Sequence, residues 1–103
     1  MTAATVSIEI QWLTPEQGAR SAPPEGGTRY STVARFLHQT EEQWLKEAWS
    51  VILDLRGNAD ANRLQRADGR FLSESAPLDW LMPGARFSLY EGHKKVADCV
   101  VVD

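Results

Sequence analysis

The feature that most constrains the fold is a set of short segments in which apolar and polar residues alternate. In the first of them, Val6, Ile8, Ile10 and Trp12 alternate with polar neighbours. A period of two places successive side chains on opposite faces of an extended chain, so this pattern predicts a strand with one buried face. Segments with this pattern, or rich in β-branched and aromatic residues, are 5–13, 30–37, 49–55, 70–74, 85–91 and 95–102. The sequence therefore predicts about six strands.

The segments between these strands carry residues that break regular structure. Segment 14–29 holds three of the five prolines and three of the seven glycines, including Pro23-Pro24 and Gly26-Gly27, which predicts a long loop. Segment 56–69 is polar and is predicted to form turns, with Asp68-Gly69 as a tight-turn pair. Irregular structure is also expected from residue 76 to 84, and a turn at 92–94.

One short helical turn is predicted within 38–48, where Thr40 and Gln43 have the spacing of a capping box. Strands joined by Gly- and Pro-rich turns, without a long helix, indicate an all-β barrel or sandwich formed by one domain over 1–103. The predicted core is Val6, Ile8, Ile10, Trp12, Val33, Trp49, Val51, Leu53, Phe87 or Leu89, and Val100. Asp98 interrupts this core pattern, so it is expected to be paired or to face solvent.

Composition narrows the function classes. Eleven Lys and Arg against fourteen Asp and Glu give a net charge of −3, which disfavours a generally basic nucleic-acid binder. The single cysteine, Cys99, cannot form an intramolecular disulfide, and it is expected to be a buried structural thiol. No apolar stretch approaches the roughly 20 residues of a membrane helix, and the first residues lack a basic signal-peptide region. We therefore expect a cytoplasmic protein that does not enter a membrane.

Motifs for catalysis, metal or nucleotide binding are missing from the sequence. There is no G-x-S-x-G, C-x-x-C, H-E-x-x-H or Walker A pattern, and the two histidines, His38 and His93, are far apart. We therefore expect no enzyme activity, cofactor, metal or nucleotide. A small hydrolase ranks last among the functions considered.

Four tryptophans are the unusual feature of the chain. Trp12 and Trp49 fall on apolar strand faces and are expected in the core. Trp44 and Trp80 lie in irregular segments, where a tryptophan either plugs a loop or anchors a partner protein. These two are the candidate protein-interaction residues.

Basic residues form the second candidate site. Segment 56–70 holds four arginines, among them Arg63 and Arg66, and Lys94-Lys95 follow the predicted turn near the end of the chain. A local basic surface attracts phosphate even on an acidic protein. An RNA-binding surface is therefore the alternative to a protein-binding one.

Several segments, taken in order, resemble the C-terminal β-barrel domain of elongation factor Tu. LTPEQGAR at 13–20, followed by Pro23-Pro24, a glycine pair and Tyr30, is similar to the opening of that domain. FSLYEGHKKVA at 87–97 is similar to its closing F-A-I-R-E-G-G-R-T-V-G hairpin, and Met82-Pro83-Gly84 resembles its M-P-G turn. The resemblance implies a six-stranded antiparallel Greek-key barrel. It also implies no GTPase activity, because nothing here matches the factor's nucleotide-binding domain.

The resemblance also bears on partners. In the elongation factor this domain contributes to tRNA T-stem binding and to contacts with the exchange factor, and Glu91-Gly92 match the Glu-Gly of its T-stem contact. Tyr90 and His93, however, stand where the family has arginine and glycine. The leading hypothesis is a non-catalytic module that binds a protein partner. The alternative is weak tRNA or RNA binding through Glu91, Gly92, Lys94, Lys95, Arg63 and Arg66.

Overall fold

Six strands close into an antiparallel barrel in the computed structural model, which describes residues 5–17 and 22–102. The strands are β1 (Val6–Trp12), β2 (Arg29–Phe36), β3 (Trp49–Leu55), β4 (Leu64–Phe71), β5 (Arg86–Glu91) and β6 (Lys94–Val101). Their order around the barrel is β1-β4-β3-β2-β5-β6, and β6 pairs again with β1. The predicted all-β barrel is confirmed, and each strand is paired on both sides.

The helical content is small. The helix α1 (Glu41–Lys46) lies between β2 and β3, and single 3₁₀ turns occur at Pro15–Gln17 and Leu78–Trp80. Thr40 and Gln43 form the predicted capping box, in which each side chain pairs with the other residue's backbone N–H. The helical turn predicted within 38–48 is therefore confirmed. Residues 18–21 of the predicted loop, which include part of the segment resembling elongation factor Tu, lie outside the described residues.

Because neighbouring strands are antiparallel, the connections between strands lie at two opposite ends of the barrel. Phe36 at the end of β2 lies opposite Phe87 near the start of β5, and Val51 near the start of β3 lies opposite Phe71 at the end of β4. Connections 37–48 and 72–85 therefore share one end, which we call the helix end because it carries α1. The β1–β2, β3–β4 and β5–β6 connections lie at the opposite end.

The core lies inside the barrel and is formed by the inward-facing side chains of all six strands. The predicted core residues Ile8, Ile10, Trp12, Val51, Leu53, Phe87 and Leu89 are buried there. Val6 and Trp49 are only partly buried and pack against its edge.

The prediction that Val33 and Val100 belong to the core is wrong, because both residues are only half-buried. Their strands present the alternate residues inward: Ala34 and Phe36 in β2, and Cys99 and Val101 in β6. Cys99 is buried as predicted. Asp98 is exposed and bonds to the Lys95 ammonium and the Ser88 hydroxyl, which resolves the inconsistency in the core pattern.

Strand β4 begins six residues before the strand predicted at 70–74, and the chain leaves the barrel after Phe71. Asp68-Gly69 is consequently part of a strand, and its assignment as a tight turn is wrong. The inward residues of β4 are Gln65, Ala67, Gly69 and Phe71. Most of them are small or polar, so the hydrophobic alternation that marks a strand is absent. An added Cβ at Gly69 would lie 2.2 Å from Cδ1 of Ile8, so a larger residue there would force the Ile8 side chain to move.

Gln65 connects the core to the loops at the opposite end. Its side-chain oxygen accepts a hydrogen bond from Trp12 Nε1 at 2.8 Å. Its side-chain nitrogen donates to the carbonyls of Pro24 at 3.0 Å and Gly57 at 2.7 Å. The β1–β2 and β3–β4 connections are thus held together by one buried amide.

Candidate protein-interaction surface

The described residues include no cluster of metal ligands, and the thiol of Cys99 is buried. No three His, Cys, Asp or Glu side chains within 5–17 and 22–102 lie close enough together to hold a metal ion. Burial raises the pKa of the Cys99 thiol well above its ordinary value, and the neighbouring Asp98 carboxylate raises it further. Such a thiol stays protonated and is a poor nucleophile.

Exposed apolar side chains are concentrated at the helix end. The large hydrophobic residues that the described part of the chain exposes are Leu37, Leu45, Leu72, Leu78, Met82 and Val102. All of them lie on connections 37–48 and 72–85 or directly after β6. Leu37 is 79% exposed and Leu45 is 73% exposed. Apolar side chains grouped in this way mark an interaction surface more often than scattered ones do.

An aromatic cluster supports this surface from below. The ring of Phe36 lies 5.0 Å from Phe87, 5.3 Å from Trp80 and 5.8 Å from Phe71, measured between ring centroids. The rings of His38 and Trp80 lie nearly perpendicular to each other, with 4.4 Å between their centroids. Trp80 is therefore half-buried, with one part of its ring fixed against the core and the rest at the surface.

Trp44 fastens α1 to the outside of the barrel. Its indole Nε1 donates to the carbonyl oxygen of Ala34 at 3.0 Å, and its ring lies 4.8 Å from that of Tyr90. Trp44 is also half-buried. The structure thus places both predicted interaction residues at the helix end, each held by contacts within the chain.

The more exposed leucines beside them were missed in the sequence. Leu37 follows the buried Phe36 and Leu72 follows the buried Phe71, whereas Leu45 follows Trp44 within the helix α1. Adjacent residues of an extended chain point in opposite directions, so a second apolar residue directly after an inward-facing aromatic is a signal for an exposed apolar site.

Two adjoining hollows shape this side of the barrel. One, of about 410 Å³, lies along the outer face of β2, β5 and β6, where Arg35, Ser88, Tyr90 and Asp98 line it. The other, of about 340 Å³, lies at the helix end beside His38 and Trp80. Phe36, Leu37 and Arg86 line both hollows. We call the two hollows together the Leu37 groove.

None of the residues predicted for RNA binding lines the Leu37 groove. Arg66 on β4 is separated from the β6 lysines by strand β1. Several are engaged within the chain: Arg63 donates to the Leu13 carbonyl at 2.8 Å, Arg66 pairs with Glu9 at 3.2 Å, Lys95 pairs with Asp98 at 2.8 Å, and Glu91 accepts a hydrogen bond from the Tyr30 hydroxyl. Gly92, with a φ of 65°, forms the β5–β6 turn, and the exposed Lys94 follows it.

Comparisons with other proteins leave the structure as the main guide. Comparing the chain with protein-family models, with curated proteins and with solved structures gave no match. In the part of the chain that the structure describes, no helix has the length and apolar character to cross a membrane.

Proposed function

We propose that this chain is a non-catalytic module that binds a protein partner through the helix end of its barrel. The observation that carries this proposal is the grouping of the exposed apolar side chains, from Leu37 to Val102 along the chain, at that one end. Trp44 and Trp80 supply fixed aromatic rings beside them, and half-buried aromatic anchors are frequent at the centres of protein interfaces.

Charge supports a protein rather than a nucleic acid at this surface. The connections at the helix end carry five acidic residues, Glu41, Glu42, Glu47, Glu74 and Asp79, against one lysine, Lys46. A phosphate backbone is repelled by such a surface, whereas an apolar protein surface is not. The proposal includes a cytoplasmic location, supported by the free buried thiol of Cys99.

The relation to the elongation factor Tu barrel is part of the proposal. What supports it is the agreement between the barrel that the resemblance implies and the closed six-stranded antiparallel barrel observed here. RNA binding through Glu91, Gly92 and the lysines remains the alternative. It has less support, because Arg63, Arg66 and Lys95 already bond to groups of this chain.

Site-specific photo-crosslinking tests the proposal in the cell. A photoreactive phenylalanine analogue replaces Leu37 or Met82 at the helix end, and Asn62 at the opposite end serves as the control position. We expect one discrete protein adduct from both helix-end positions and none from Asn62.

Two results would contradict the proposal. Equal crosslinking from Asn62 would show nonspecific contact, and the absence of any adduct at the helix end would show that this surface is free. RNA recovered with the protein, and lost as salt rises or when Lys94 is changed to glutamine, would favour the alternative.

A further inference from the structure

The arginines on the barrel's outer face fall into two groups. Four of them pair with carboxylates of this chain: Arg29 and Arg70 with Asp54, Arg56 with Asp68, and Arg66 with Glu9. The hydrogen bond from Arg29 holds the pKa of Asp54 below its ordinary value. Within 5–17 and 22–102, Arg35 and Arg86 have no carboxylate within ion-pair distance. Both line the Leu37 groove.

The strand register sets these two arginines side by side. Arg35 lies directly opposite Ser88 across the β2–β5 pairing, and Arg86 precedes Ser88 by two residues on the same face of β5. Diagonal neighbours of this kind are separated by about 7–8 Å between backbones, within reach of long side chains. The carboxylate that lines the groove, Asp98, is bonded to Lys95 at 2.8 Å and Ser88 at 2.9 Å. The groove therefore presents two guanidinium groups beside the exposed Leu37.

We infer that the Leu37 groove binds a peptide segment of a partner protein in which an aspartate or glutamate is flanked by apolar residues. This inference rests on the proposed interaction function and specifies the chemistry of the partner. The carboxylate lies between Arg35 and Arg86, where charge-assisted hydrogen bonds form, and the apolar side chains lie on Leu37 and Trp80. Because every strand of the barrel is paired on both sides, the segment docks through side chains and does not add a strand.

A single carboxylate fits this groove better than a polyanion does. The acidic residues of α1, Glu41 and Glu42, belong to the same end of the barrel and oppose a run of phosphates. Arg35 is also held in place, with its guanidinium carbon 5.8 Å from the centre of the Trp44 ring. A positioned arginine loses less conformational entropy when it binds a carboxylate.

Peptide titration of the ¹⁵N-labelled protein tests the inference without the natural partner. The probes are acetyl-Gly-Leu-Asp-Leu-Gly-amide and the same peptide with Asn in place of Asp. We expect the Asp peptide to shift the amide resonances of Arg35, Leu37, Arg86 and Ser88 at millimolar concentrations. The Asn peptide is expected to bind roughly tenfold more weakly, the order associated with losing a charge-assisted hydrogen bond.

Variants assign that preference to the two arginines. We expect Arg86→Gln and Arg35→Gln each to remove the preference for the Asp peptide over the Asn peptide. The side chain of Arg86 makes no ion pair in the described structure. Arg66→Gln changes an arginine that already pairs with Glu9 and is the matched control, with the preference unchanged.

Equal binding of the two peptides, binding of neither, or shifts confined to the opposite end would overturn the inference. Displacement of the Asp peptide from the groove by a single-stranded oligoribonucleotide would also overturn it, because phosphate would then be the ligand. These results are separate from the crosslinking at Leu37 and Met82. A protein adduct there with no Asp preference here would leave the proposed function standing and reject only this partner chemistry.

Discussion

A single buried amide, that of Gln65, shows how one polar residue organises an end of the barrel. Gln65 is only 3% exposed, yet its side chain makes hydrogen bonds to Trp12, Pro24 and Gly57. A buried polar group is tolerated when its partners are present, and removing one partner leaves the others unsatisfied in a medium without water. The polar residue Gln65, which weakened the strand pattern of β4 in the sequence, is thus needed to hold the β1–β2 and β3–β4 connections together.

This arrangement predicts the effect of Gln65→Met, which keeps much of the side-chain volume and removes the hydrogen bonds. We expect the free energy of unfolding to fall by about 2–4 kcal/mol, since an indole N–H and two carbonyls lose their partner. Urea unfolding followed by tryptophan fluorescence measures the change. Arg66→Ala, at the next position on the outer face, is the control and should cost at most about 1 kcal/mol. A Gln65→Met value no larger than that of the control would show that the network adds no stability.

Among the elements, α1 depends most on a few side-chain contacts with the barrel, of which those of Trp44 are the most extensive. A helix of six residues is too short to persist in water alone, where about 12–15 residues are needed for even marginal stability. Its capping box stabilises the first turn, and Trp44 packs it against the barrel through Ala34 and Tyr90. The buried side chain of Gln39 donates to the Glu47 carbonyl at 2.7 Å and holds the C-terminal end.

Trp44→Ala is therefore expected to release α1 while the barrel stays folded. Hydrogen exchange should show lost protection at the backbone amides of position 44 and of Glu47, which donate to Thr40 and Gln43 in the helix. Protection in β1 and β4 should be unchanged. Trp44→Phe, which keeps an aromatic ring against Tyr90, is the matched control and should retain part of the protection. Loss of protection throughout the barrel would instead show that Trp44 belongs to the core.

The elements also show what the sequence could and could not predict. Segments with clear alternation, such as Val6–Trp12 and Trp49–Leu55, were located to within one residue at each end. The first six residues of strand β4 were missed because the inward residues Gln65, Ala67 and Gly69 are polar or small. At Gly69 the space that a side chain would take is occupied by Ile8 of the neighbouring strand. The sequence pattern of one strand does not show which part of the barrel interior is filled by side chains of a neighbouring strand.

At the scale of the whole molecule, closure of the barrel creates the candidate site. Leu37 and Met82 are far apart in sequence, and they share an end because β2 and β5 are antiparallel neighbours. The sequence pointed to Trp44 and Trp80 as candidates. It did not predict the Leu37 groove, since the groove requires knowing that β5 pairs with both β2 and β6.

Closure also predicts how the thiol of Cys99 reacts. Cys99 lies opposite Ile10 of β1 and Phe87 of β5, so exposing it requires separating strands on both sides. A closed barrel should open as one cooperative unit, and burial holds the thiol in its unreactive protonated form. We expect the logarithm of the rate at which a disulfide reagent labels Cys99 to rise linearly with urea concentration. Its slope should equal the urea dependence of the free energy of global unfolding. A second thiol introduced by Ser75→Cys, at an exposed position, should react at once and independently of urea. A Cys99 labelling rate that does not change with urea at low urea concentrations would contradict cooperative opening. It would show that a local movement of β6 alone exposes the thiol.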